Sequence, residues 1–184
     1  MSLLAADELF QLIDDGVIGA DPRHVNSASI DVRLGNEFYL ETRTDPFRTV
    51  IDPSDRSAPH LYKYVVADGE TFDLEPNAFA LAHTVETFNL PNDISALFLL
   101  RSTMARHGLD HAHAAFADAG WHNSCLTLEL HNNLQRHTIR LTPGMRIGQM
   151  LFFRHALVST TLSYASRGSY NHSLSVVTGR GAQV

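Results

Sequence analysis

Cysteine is almost absent from this chain of 184 residues: Cys125 stands alone, so no internal disulfide framework and no Cys-x-x-Cys pair can form. The His-Glu-x-x-His signature is missing too, and the spacings of His107, His111 and His113 fit no common zinc pattern. Scattered surface or interface positions are the expectation for these histidines. Positive charge is not in excess. A formal net charge of −6 argues against general nucleic-acid binding, which usually needs a basic field, although a local arginine cluster can still hold a small anion. No run approaches the roughly 18 apolar residues of a membrane span, and the N-terminus lacks a basic-then-apolar signal pattern. With the single cysteine, this predicts a cytoplasmic protein without a membrane partner. No internal repeat is present.

What is present is enough apolar material for one core. At 44% hydrophobic residues, positions 1–184 are expected to form a single domain. In "AADELFQLIDDGVIG", Leu9, Leu12 and Ile13 share one helical face and Gly16 suits the end, which predicts one short helix. The grammar then changes. "SIDVRLG" alternates Ile30, Val32 and Leu34 against Asp31 and Arg33, the pattern of a half-buried strand, and Gly35-Asn36 turns the chain into "EFYLE". Residues 42–60 carry three prolines and read as a long loop. Further strands are expected at "YKYVV", "FALAHTV", "ISALFLL", "SCLTLELH", "HTIRL" and "RIGQMLFF". Many short strands at close spacing predict an all-β barrel or jelly-roll-like sandwich. From about Ser159 the tail is rich in Ser, Gly and Asn, and reads either as a frayed terminus or as an arm that orders over a ligand.

Chemistry concentrates in three stretches. "LRSTMARHGL" places Arg101, Ser102, Thr103 and Arg106 straight after the apolar "ISALFLL". Two guanidiniums and two hydroxyls at the end of a buried strand call for an anionic partner. In "SCLTLELH", Leu126, Leu128 and Leu130 fall on one face, with Cys125, Thr127, Glu129 and His131 on the other. Glu129 is then either a solvent-facing carboxylate on a half-exposed strand or a carboxylate in a partly desolvated crevice, where it suits a general base. In "AAFADAGWHN", Asp118 and Gly120 make a turn followed by Trp121, the sole tryptophan. Asp before such a turn usually caps backbone, but beside an aromatic it can also read a sugar hydroxyl.

Taken in order, "SIDVRLGNEF", "LRSTMARHGL", "FADAGW", "LTLELHNN" and "PGMRIGQM" closely resemble the deoxycytidine triphosphate deaminase family, relatives of the trimeric dUTPases. The resemblance implies an all-β, distorted dUTPase-like barrel with a short N-terminal helix, assembled as a homotrimer with active sites between subunits. It implies hydrolytic deamination of dCTP, with Mg²⁺ carried on the triphosphate and no zinc. Zinc cytidine deaminases need a His-x-Glu triplet and paired cysteines, neither of which this chain has. Residue by residue, the resemblance makes Glu129 the catalytic glutamate, helped by the Ser102 hydroxyl and offset by Arg106. Arg101, Ser102, Thr103 and Arg106 would cradle the triphosphate, with Gln149 nearby. Asp118 would read the 3′-hydroxyl and serve catalysis, Trp121 would pack on the deoxyribose, and Ala114, Phe116 and Thr127 would also line the nucleotide. Tyr164 and Tyr170 match a closing arm within residues 159–184.

Three departures stand out. Ala115-Phe116 replaces the His-Arg pair of mono-functional deaminases and looks like the bifunctional members, which take dCTP through to dUMP. The stretch between Leu109 and Ala114 is one residue short, with His113 in place of a usual threonine linked to dTTP feedback. The tail lacks the family's lysine before its second tyrosine. A dUTPase without deamination, and a nucleotide-sensing trimer without catalysis, are the rival readings; an intact Ser102, Arg106 and Glu129 set argues against the second.

Overall fold

The computed structural model describes residues 1–41, 50–52, 59–112 and 114–178. Most of the proline-rich loop expected at 42–60 therefore lies outside the described residues, as do His113 and residues 179–184. The helix expected near the N-terminus is α1 (Ala6–Asp14). Asp7 and Glu8 in its first turn complement the helix dipole, and a Glu8 carboxylate oxygen accepts from the Ala5 N–H at 3.3 Å. Leu9 and Leu12 face the core. The chain leaves through Gly16, whose φ of 71° is the left-handed conformation that favours glycine.

The remainder is mainly β. A five-stranded sheet runs β1 (Ser2–Leu3), β13 (Arg146–Arg154), β8 (Ile94–Leu100) and β10 (Phe116–Ala117), with β3 (Ile30–Arg33) also pairing β13. A six-stranded sheet runs β5 (Tyr62–Val65), β4 (Glu37–Leu40), β7 (Phe79–Phe88), β11 (Ser124–Asn132) and β9 (Leu109–His111), with β2 (Ile18–Gly19) also on β7. β6 (Phe72–Leu74) and β12 (Ile139–Leu141) form a separate pair. Short helices α2 (Ser102–Arg106) and α3 (Tyr164–Arg167) and one 3-10 turn (Pro22–His24) complete the described elements. Every strand pair is antiparallel, so the all-β expectation holds. Among the described residues, no helix is long and apolar enough to cross a membrane.

The core lies between the two large sheets. Phe98 of β8, Phe152 of β13, Phe88 of β7 and Leu128 of β11 are fully buried. Gly148 is required where β13 crosses Phe98, because an added Cβ would sit 2.0 Å from that ring.

Alternation misplaces one residue. Asp31, expected on the outer face of β3, is only 3% exposed. The reason is electrostatic: Arg101 and Arg146 close over it, their Nη1 atoms at 2.8 and 3.1 Å from Oδ2, so the carboxylate is buried with its charge matched.

A bulge on β11 sets the functional face. Its register against β7 shifts between Cys125 and Thr127. The Leu126 N–H instead donates to the Thr84 hydroxyl at 3.0 Å. Leu126, Leu128 and Leu130 then point into the core, while Thr127 and Glu129 point away from it.

The tail packs on this same region. The Ser163 hydroxyl caps α3 through Ala165 N–H and donates to Asn92 at 2.6 Å. Farther along, the Tyr170 carbonyl accepts from Trp121 Nε1 at 2.9 Å, the Ser173 carbonyl from Cys125 N–H at 2.9 Å, and the Val177 N–H donates to the Thr127 hydroxyl at 3.2 Å.

Candidate active site

The outward face of β11 opens into a cavity of about 430 Å³, a size suited to a small organic ligand. Cys125, Thr127 and Glu129 form its floor, and Phe79 and Leu81 of β7 extend it. Ala114, Phe116, Asp118 and Trp121 come from the connection that carries β10, and Tyr164, Tyr170, Ser173 and Val177 from the tail. Two carboxylates thus meet a largely apolar, aromatic enclosure. The Asp118 carbonyl accepts the Trp121 N–H at 3.1 Å, and Gly120 between them has φ 87°. An added Cβ at Gly120 would lie 1.9 Å from the Ser163 hydroxyl, so this turn and the tail fit only through a glycine. Trp121 stacks on Phe88 at 5.5 Å between ring centroids, which fixes the indole as a wall.

Glu129 is neither solvent-facing nor sealed. Its side chain is 23% exposed, and Oε2 lies 3.1 Å from Nε2 of His111. His111 is 3% exposed, which corrects the expectation of a surface or interface histidine. Its ring packs against Phe98 at 4.8 Å, on a strand of the other sheet. Burial also acts on the neighbouring groups: it pushes the Cys125 thiol up to about 11 and the Tyr164 phenol above its ordinary value. Cys125 should therefore resist thiol reagents at pH 8 in the native protein and react only on unfolding. Complete labelling of the folded chain within minutes would contradict this placement.

Five of the sequence-predicted residues lie elsewhere: Arg101, Ser102, Thr103, Arg106 and Gln149 do not line the cavity. They belong to the end of β8, to α2 and to β13. Ser102, Thr103 and Arg106 are exposed, and Arg101 is tied down through its N–H to the Ile147 carbonyl at 3.1 Å and its guanidinium to Asp31. Gln149 stands opposite Asp31 in the β13–β3 register. The chain therefore carries two separate patches: a carboxylate-bearing aromatic cavity, and a cationic, hydroxyl-bearing corner. Sequence reasoning missed Asp31 and His111. Arg101 at the end of a buried strand was the available signal for Asp31; nothing local marks His111. Among the described residues, no group of three or more His, Cys, Asp or Glu is gathered as a metal cluster.

The fold is shared with a solved 2′-deoxycytidine 5′-triphosphate deaminase from Agrobacterium tumefaciens, with a TM-score of 0.64 at 22% identity over 86% of this chain. The match spans half the length of that chain, so it speaks to the fold alone. This mainly β architecture, with a carboxylate-bearing cavity on one sheet, defines the class.

Sequence defines the family. The family model described as dCTP deaminase-like matches residues 3–155, and the chain belongs to that family. Among its relatives, the "dCTP deaminase, dUMP-forming" of Dictyoglomus thermophilum is 33% identical over 177 residues, covering 92% of this chain and 89% of the relative. The protein of the same name from Rhodococcus jostii is 37% identical over 156 residues, covering 83% and 80%.

Proposed function

We propose that this protein deaminates Mg-dCTP hydrolytically and carries the dUTP formed on to dUMP and pyrophosphate, in a homotrimer whose sites join two copies. The observation that carries the reading is Glu129, a partly desolvated carboxylate on the floor of the cavity. In the reaction Glu129 takes a proton from water as the oxygen adds to C4 of cytosine. It then returns that proton to the exocyclic nitrogen as the C–N bond breaks, so water is consumed and ammonia leaves. The Ser102 hydroxyl orients the water, and Arg106 offsets negative charge on the carboxylate and the tetrahedral adduct. A dUTPase alone would have little use for a carboxylate at this depth.

The cationic corner supports the trimer. Arg101, Ser102, Thr103, Arg106 and Gln149 form a triphosphate cradle outside their own chain's cavity lining, and a neighbouring copy brings the two patches together. Asp118 and Trp121 hold the deoxyribose, and Ala114, Phe116 and Thr127 line the base and sugar. Tyr164 and Tyr170 of the tail cover the nucleotide, within a single domain spanning 1–184. Magnesium arrives with the substrate on its phosphate oxygens. Such a nucleotide pool places the enzyme in the cytoplasm.

Onward hydrolysis rests on Ala115-Phe116 and on relatives whose names include "dUMP-forming". In the family resemblance a small residue at this position goes with room for a second water in line with the α-phosphate and the leaving pyrophosphate; Ala115 itself packs in the core behind the cavity lining. Purified protein given Mg-dCTP should release ammonia and dUMP in equal amounts with little free dUTP, and should also hydrolyse added dUTP. Accumulation of dUTP in full proportion to ammonia, with added dUTP untouched, would limit the enzyme to deamination; no ammonia at all would overturn the reading. Because the zinc-deaminase motif is absent from the sequence, prolonged zinc chelation followed by excess Mg²⁺ should leave ammonia release intact. Activity lost with stoichiometric zinc would contradict it.

A further inference from the structure

Glu129 meets one ionisable side chain at close range, His111, that has no part in the reaction described above. His111 stands opposite Leu130 in the β9–β11 register, one residue along from Glu129, and Ala112 N–H donates to the Glu129 carbonyl at 3.0 Å. β9 therefore grips the strand that carries the carboxylate at the position of the carboxylate itself. The imidazole is 3% exposed, leans on Phe98, and meets Glu129 Oε2 through Nε2 at 3.1 Å. It is not part of the cavity lining, so it acts on a bound nucleotide only through Glu129.

The ionisable groups on the elements packed around it are Cys125, Glu129 and His131 on β11, Asp110 beside it on β9, and Arg106 on α2, which packs on β9, with His107 just after it. Asp110 is engaged elsewhere: one oxygen accepts the His111 backbone N–H at 2.8 Å and the other the Asn133 amide at 3.2 Å. His131 contacts Asn133, and His107 Nδ1 contacts the Thr103 carbonyl at 2.7 Å.

We propose that His111 is the positioning residue for Glu129, its buried ring set beside the carboxylate so that the side chain keeps the rotamer that faces the water. This rests on Glu129 being the base. A glutamate side chain has three rotatable bonds, and a base must meet its proton within hydrogen-bond reach. A ring clamped by Phe98 and by the β9 backbone sets a fixed wall at one carboxylate oxygen, with Nε2 3.1 Å from Oε2 but outside hydrogen-bond geometry, so that a small turn of either side chain completes the bond. A leucine would fill the same space against Phe98 and offer no polar contact.

The test compares His111→Leu, His111→Gln and Glu129→Gln with wild type, following ammonia release from Mg-dCTP. In His111→Leu, kcat should fall about 10- to 100-fold while KM stays within about threefold. His111→Gln, whose amide N–H can still meet the carboxylate, should recover most of the loss. Wild-type kcat in His111→Leu, with Glu129→Gln inactive, would overturn this inference and leave the base assignment standing. Normal turnover in Glu129→Gln would remove the base assignment and this inference with it. Should the His111 variants not fold, the ring C–H shifts of the eleven histidines, compared by NMR between wild type and Glu129→Gln, decide. The resonance of one buried ring should move when the carboxylate is replaced; no change at any histidine would overturn the proposal.

Discussion

Glu129→Gln should leave the protein folded and able to bind Mg-dCTP while ammonia release falls by about 100-fold or more. The substitution preserves shape and removes only the capacity to take a proton. Because the side chain is 23% exposed and reaches the cavity from the sheet floor, the amide disturbs no core packing, and Leu128 and Leu130 on the opposite face keep their places. Loss of turnover with nucleotide affinity retained is the signature of an interaction made in the transition state. Near-normal turnover would show that another group activates the water.

Arg106→Ala should weaken triphosphate binding by about 10- to 150-fold, corresponding to about 1.5–3 kcal/mol for charge-assisted hydrogen bonds to an anion. It should also lower kcat, since the same guanidinium offsets charge on the adduct. Arg106 is exposed at the end of α2, so its removal leaves no buried group unpaired and the loss reads directly as lost ligand contact. Arg101→Ala differs in kind. Its guanidinium also covers Asp31 at 2.8 Å, which leaves Arg146 as the remaining guanidinium on that carboxylate, so Arg101→Ala should lower thermal stability as well as affinity, and Arg106→Ala affinity alone. Unchanged dCTP affinity in both variants would move the phosphate cradle elsewhere.

The long strands were legible because alternation or apolar runs mark their centres: β8 coincides with its marked segment, and β7, β11 and β13 run one to three residues beyond theirs. β6, β9 and β10, of two or three residues, show no period, and their partners on β12, β11 and β8 define them instead. Alternation also placed Glu129 on the non-leucine face, but it could not say whether that face met water or a cavity. The answer depends on Trp121, Tyr164 and Tyr170, which arrive from the connection before β11 and from the tail. His111 was hidden for a similar reason: "LDHA" offers it polar and small neighbours, and its burial comes from Phe98 on the other sheet. Asp31 looked exposed because a strand's period assigns faces, while two arginines distant in sequence bury it.

The joined site is tested most directly by mixing subunits. Glu129→Gln and Arg106→Ala, each nearly inactive, should be unfolded together in equal amounts, reassembled, and assayed for ammonia from Mg-dCTP. If one copy supplies the cavity and its neighbour the cationic corner, random assembly restores an intact pair at some sites, and activity should rise to about a quarter of wild type. If every site is built within one chain, no intact site can form, and the mixture would show only the average of its two inactive parents.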